Sequence, residues 1–254
     1  MKISIITPTY NSEDTILTNI ESILRQDYNN WEQIIIDNIS IDKTLELVKN
    51  KKNKKIKIIS EKDLGIFDAI NKGIENSTGD IISILHSDDY YDNIDILSIL
   101  ANNFRKFDPD IIYGNLIYVK KNDINSPLRF WKSQNFKKGL FYKGWSPPHP
   151  TFIIKKKIHE KFGKYKKDLG NSSDFEFMFR MLEIHECKSL YLDKTFVKMR
   201  YGGSSNKSFS SIIKQNLTIL KILRIYNKPI KLIHFILYKL CNRIMQFINR
   251  PKND

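Results

Sequence analysis

The chain of 254 residues holds 42 Lys and Arg against 28 Asp and Glu, a net charge of +14, and is 41% hydrophobic and 12% aromatic. Those values exclude global disorder and allow a full hydrophobic core, so one large α/β domain, or one domain with an appendage, is expected. Its two cysteines, Cys187 and Cys241, lie far apart, which argues against a disulfide framework and for a reduced, cytosolic setting.

Residues 3–7 read as a strand, and with Lys2 before them and Pro8 directly after, export is not expected. Ile16, Leu17, Ile20, Ile23 and Leu24 then recur at helical spacing, with Ser12 as the candidate cap. Residues 33–37 form the next strand, 44–51 a helix and 56–60 a strand, while Ile66, Ile70 and Ile74 mark another helical face. The doublet Thr78-Gly79 resets the chain for a strand over 81–85. Ile96, Leu97, Ile99, Leu100 and Phe104 give a helix, and 111–119 a strand. This alternation predicts a mostly parallel sheet flanked by helices.

Beyond residue 120 the alternation stops. Residues 120–203 carry Trp131, Trp145, Pro147, Pro148, Pro150, Gly202 and Gly203, the composition of irregular structure around a site. Residues 211–249 return to a helical pattern, interrupted at Asn227-Lys228-Pro229. The expected organisation is therefore 1–119, 120–210 and a basic helical extension, 211–254.

The basicity sits in that extension, because residues 204–254 hold ten Lys or Arg and one acid, Asp254. Such a segment favours anionic partners. Over 230–250 a helical projection puts Lys239, Arg243 and Arg250 on one edge, with Ile233, Leu237, Leu240, Ile244 and Ile248 opposite. Two readings stay open: an interfacial helix on an anionic membrane surface, or a helix docked on its own domain or on a second protomer. No interleaving of aromatic and basic residues accompanies it, so nucleic acid is not expected as a partner.

The most informative pair is Asp88-Asp89, directly after the apolar run 81–85 and hence at a strand's carboxyl end, where open α/β sheets bind ligands. Two adjacent carboxylates repel and resist desolvation, so something cationic should share their position. A divalent metal carrying a diphosphate is the economical candidate. A helix start just beyond, capped by Asp92 or Asn93, is the plainer reading of the same acids.

Four stretches together resemble the nucleotide-sugar half of the family 2 inverting glycosyltransferases, which have the GT-A fold. They are residues 7–11 (Thr-Pro-Thr-Tyr-Asn), 36–44 beginning Ile-Asp-Asn, 63–73 beginning Asp-Leu-Gly, and Ser87-Asp88-Asp89. The resemblance covers about the first 120 residues and continues, more weakly, to about residue 205. It implies that Asp89 coordinates Mg²⁺ or Mn²⁺ while Asp88 meets the ribose or a metal-bound water. It also implies donor contacts from Thr7, Thr9, Tyr10, Asp37, Asp63, Asp68, Lys72 and His149, with Asp37 reading uracil and Tyr10 stacking on the base. Asn38 and Ile39 stand where relatives carry a second acid and a glycine.

In the later half, Asp174 precedes the apolar face of Phe175, Met178, Phe179 and Leu182. It matches the family's catalytic base, which takes the acceptor's proton during direct displacement; Glu176 is the neighbouring alternative, and a simple helix cap the plainer role. The segment 201–205 resembles a loop that closes the site.

The resemblance implies metal-dependent transfer from a nucleotide diphosphate sugar, UDP-linked, to a saccharide acceptor carried on a polyprenyl diphosphate. The setting would be surface polysaccharide synthesis at the inner face of the cell membrane. A nucleotidyltransferase shares the α/β nucleotide half but usually carries a glycine-rich loop that residues 7–12 lack. A non-enzymatic basic module that binds membrane or nucleic acid is the remaining alternative.

Overall fold

The computed structural model describes residues 1–121, 123–202, 209–226 and 232–249. The expectations placed on Gly203, Ser204 and Ser205, on Asn227-Lys228-Pro229 and on Arg250 lie outside them.

The first half is β1 (Ile3–Thr9), α1 (Ile16–Leu24), β2 (Trp31–Asp37), α2 (Thr44–Asn50), β3 (Ile56–Ser60), α3 (Ile66–Asn76) and β4 (Ile81–Ile84). Every residue of β1 and β4 is buried, as suits strands covered on both faces; their few polar residues, Ser4, Thr7, Thr9 and Ser83, are small hydroxyls. After β4 come β5 (Asp89–Tyr91), α4 (Ile96–Phe107), β6 (Ile111–Lys120), β7 (Asp123–Trp131), β8 (Ile153–Lys155), α5 (Lys156–Phe162), α6 (Ser173–Phe179) and β9 (Ser189–Arg200). Helices α7 (Phe209–Ile225) and α8 (Leu232–Ile248) close the order.

One sheet runs β3-β2-β1-β4-β8-β6-β9-β5, with β7 paired to β6. Its first four strands are parallel, as expected. Beyond β4 the sheet is mixed rather than mostly parallel, with β8 antiparallel to both β4 and β6 and β5 antiparallel to β9. The β4–β8 ladder ends at Ile82, so the chain leaving β4 is free to turn toward solvent. The order 3-2-1-4 also reverses at β1, which makes the crevice outside the ends of β1 and β4 the expected ligand site.

Two apolar layers cover the sheet. α4 packs Ile96, Leu97, Leu100 and Phe104 on one face; α3, α6, α7 and α8 contribute Ile70, Phe177, Leu223 and Phe235 to the other. Gly73 lets α3 approach β1, since a Cβ there would sit 2.3 Å from Ile6 Cγ2. Likewise Gly144, at φ 89°, lies under α8, where a Cβ would meet Lys239 Cγ at 2.8 Å.

The inward side of α8 bears Phe235, Tyr238, Lys239, Asn242 and Arg243, whereas Ile233, Leu237, Leu240, Ile244 and Ile248 are all more than half exposed. Of the cationic edge, Lys239 and Arg243 are thus turned toward the protein, in keeping with the docked-helix reading, while the apolar edge faces outward. Among the described residues no helix is long and apolar enough to cross a membrane.

Candidate active site

The loops leaving β1 and β4 are stitched together. Asn19, wholly buried on α1, donates to the carbonyls of His86 and Asp89 at 2.8 and 2.9 Å, and the hydroxyls of Ser12 and Ser87 lie 2.8 Å apart. The Ser12 side chain therefore bonds across to the next loop instead of capping α1, whose N-cap position is Thr15.

These bonds hold a turn in which Asp88 is half-buried and Asp89 is 0% exposed. Neither carboxylate oxygen of Asp89 has a hydrogen-bond partner. Burial, reinforced by the Asp88 charge, raises its carboxyl well above the ordinary range, and Arg200 works in the opposite sense. Arg200 also donates to the Asp88 carbonyl at 2.7 Å. A buried carboxylate left without donors is costly unless a cation arrives.

Two imidazoles meet beside this turn, His86 from the same loop and His149 from the segment before β8. The ring centres of His86 and His149 are 6.0 Å apart, and His149 Nε2 lies 3.0 Å from the Tyr165 hydroxyl. Burial draws His149 down to about 3 and lowers His86 as well, so near neutral pH both are uncharged and able to offer hydrogen bonds rather than charge. Burial and the Asp174 charge push the Tyr165 phenol up. His86 and Tyr165 were not anticipated. The position of His86 between a strand end and the acidic pair was the available signal; Tyr165 had none.

Asp174 lies in the first turn of α6, whose N-cap is Ser172, so the simple cap role does not apply. Its surroundings raise the carboxyl to about 6 through burial, against the opposing bond from the Phe175 amide at 2.6 Å and the Lys239 charge. That leaves it able to accept a proton near neutrality. Glu176 is tied instead to Arg180 at 3.0 Å, to Lys166 at 3.0 Å and to the Tyr226 hydroxyl at 3.2 Å. It is part of the frame.

The predicted donor residues fall into two sets. Thr9 and Tyr10 end β1 at the crevice, and Tyr10 is 57% exposed, open to a base. Asp37 is wholly buried and accepts from the Ser40 amide and hydroxyl and from the Ser60 hydroxyl, at 3.0, 2.5 and 2.7 Å. Thr7 is buried too, its hydroxyl accepting from Gln33 at 3.0 Å. Asp63 accepts from the Gly65 amide, and burial raises its carboxyl. Asp68 holds the Leu64 amide and pairs with Lys167 at 2.9 Å, which lowers it. Lys72 pairs with Glu61 at 2.8 Å and lies 3.8 Å from Asp68.

Among the described residues no three His, Cys, Asp or Glu side chains gather as a metal cage. A Mg²⁺ or Mn²⁺ ion brought by a diphosphate needs only one or two protein carboxylates, and the unpartnered Asp89 beside Asp88 fits that requirement.

Residues 4–163 match the family model of Glycosyl transferase family 2. The chain is 28% identical over 255 residues to an uncharacterized glycosyltransferase of Methanocaldococcus jannaschii, covering 95% of this chain and 82% of that one. It is 34% identical over 127 residues to the Escherichia coli UDP-Glc:alpha-D-GlcNAc-diphosphoundecaprenol beta-1,3-glucosyltransferase WfgD, spanning 48% of each protein. The structure superimposes on Staphylococcus aureus TarS 1-349 in complex with UDP-GlcNAc with a TM-score of 0.69 at 21% identity, covering 97% of this chain and 73% of that one; this is a likeness of fold.

Proposed function

Because the chain belongs to glycosyl transferase family 2 and is a GT-A glycosyltransferase acting on a nucleotide sugar, we propose that it catalyses metal-dependent, inverting transfer from a UDP-sugar to a lipid-diphosphate-linked saccharide. The observation that carries this reading is the Asp89 carboxylate, buried without a partner, together with the raised carboxyl of Asp174, whose charge acts on Tyr165 next to His149.

Donor binding falls to the β1 and β4 loops. Tyr10 stacks on the base, Asp88 meets the ribose, and Asp89, with Asp88 beside it, holds Mg²⁺ or Mn²⁺. When bound, the metal supplies charge neutralisation for the departing diphosphate. His149 donates a neutral hydrogen bond to the sugar or the diphosphate. Asp37, Asp63, Asp68 and Lys72 set the shape of the base and ribose walls, with Asp37 facing uracil through its Ser40 loop.

Asp174 then accepts the acceptor hydroxyl proton as that oxygen bonds to the anomeric carbon. The bond from that carbon to the diphosphate oxygen breaks, and UDP leaves with the electron pair. A base on the side of the sugar opposite the leaving group inverts the anomeric centre.

The acceptor class is supported by the name of the E. coli relative, whose acceptor is a diphosphoundecaprenol saccharide, and by the outward apolar face of α8. Such a face suits an enzyme working at the inner surface of a membrane. Calorimetric titration with UDP, with and without Mn²⁺, tests the reading: Mn²⁺ strengthens binding to the wild type and loses its effect in Asp89→Asn. Equal affinities in all four titrations refute the metal site.

A further inference from the structure

Among the described residues, three cations around the site form no salt bridge, although the charge of Asp174 reaches one of them, Lys239. Arg129, on β7, is only 6% exposed and its Nε has no hydrogen-bond partner; among the described residues no carboxylate pairs with it. Its guanidinium lies 4.0 Å from the centre of the Tyr118 ring and 5.7 Å from that of Trp131. Aromatic faces orient such a group and soften its desolvation, but they carry no net charge to neutralise it.

Helix α8 comes within reach of Arg129 through Phe247, whose ring centre lies 5.9 Å from the guanidinium, and Arg243, one turn earlier on that helix, opposes the charge of both Arg129 and Lys239. Lys239 donates to a neutral partner, Asn216 Oδ1, at 2.7 Å. Frame cations behave otherwise: Arg180 has Glu176, Lys167 has Asp68 and Lys155 has Asp108. Mutually repelling cations, one of them buried without a carboxylate, suit a polyanionic ligand.

We infer that Arg129, Lys239 and Arg243 form a binding site for the diphosphate of the lipid-linked acceptor. This rests on the transfer reaction proposed above. Tyr118 joins the cluster to the reaction centre, since Tyr118 on β6 and Asp89 on β5 both pair with the same residue of β9, Met199. The cations lie on β7 and α8, whereas the nucleotide loops leave β1 through β4. On the outer side of α8, Leu237, Leu240 and Ile244 are exposed. A helix is about 10 Å across, and an interfacial helix sinks its apolar face about 5–10 Å into the headgroup boundary, which brings the inward cations to headgroup level, where a prenyl diphosphate carries its charge.

The test uses the full chain and two probes, geranyl diphosphate for the acceptor and UDP with Mn²⁺ for the donor. Arg129→Gln and Arg243→Gln are each expected to weaken geranyl diphosphate by about tenfold or more, the loss of one charge-assisted hydrogen bond, and to leave UDP affinity unchanged. Arg129→Lys recovers part of the loss, which a packing defect would not, and thermal melting of each variant reports on folding. Equal losses for UDP would reassign the cations to the donor. Absent or variant-insensitive geranyl diphosphate binding overturns the site. If geranyl diphosphate binding follows the cations while UDP never binds, the site stands and the transfer reading falls.

Discussion

The charges along the donor side and those at the centre of the crevice are built on opposite principles. Asp37, Asp68 and Lys72 each have a full set of protein partners, so they are satisfied before any ligand arrives. Asp89 and Arg129 are as deeply buried, yet Asp89 has no hydrogen-bond donor and Arg129 no counter-ion among the described residues. A group that is already paired maintains shape. A buried group without a partner carries a desolvation cost that only a ligand offsets, and it marks where the ligand goes.

That contrast breaks or sharpens by experiment, beginning with the largest effect. Asp174→Asn should lower transfer by roughly 10²–10⁴ through loss of the base while UDP affinity is kept, measured by product formation beside calorimetry; retained transfer would move the base elsewhere. Next in size, Leu237→Glu, Leu240→Glu and Ile244→Glu combined on the outer face of α8 should abolish flotation with anionic liposomes. Unchanged flotation would detach the apolar stripe from lipid.

The pH profile follows from two perturbed groups. Asp174, raised to about 6, must be deprotonated to act, so the rate climbs with pH through that value. Lys239, drawn down to about 8 by burial, loses its charge above it, so acceptor affinity falls there. The expected profile of kcat/KM rises about tenfold per unit up to a pH near 6, and falls by about tenfold in all above 8, the effect of losing one charge-assisted hydrogen bond. Asp174→Asn removes the acid limb from whatever rate remains.

The smallest effect belongs to the satisfied side. Asp37→Ala strips three hydrogen bonds from the Ser40 and Ser60 region and should lower stability by about 1–3 kcal/mol, read by denaturant unfolding. A collapse of UDP affinity at unchanged stability would instead make Asp37 a direct reader of uracil and place it with the ligand-directed charges.

Much of the frame was legible because it depends on local pattern. The β3 strand falls at residues 56–60 as expected, and β1 runs only two residues beyond its expected end, since apolar runs bounded by turn residues are the main signal of buried strands. Asp88, Asp89 and Asp174 were legible as candidates because they stand at the ends of recognisable elements, and His149 because prolines fence it in. The donor acids Asp37 and Asp68 were legible as positions but not as partners; their bonds to Ser60 and Lys167 cross 23 and 99 residues of chain. The inward turn of Lys239 was not legible either. Helical projection separates two edges of α8 but does not say which one meets the protein.

The sequence by itself therefore determined the α/β alternation, the acidic pair in the turn that follows β4 and the amphipathic character of α8, since all three are written in side chains a few residues apart. Only the tertiary structure decided that Asp89 is buried without a partner, that Tyr165 meets His149, and that Arg129 and Arg243 face one site from β7 and α8. The reason is physical: burial and field strength are set by neighbours from distant segments, and a periodic pattern carries no information about which segments those will be.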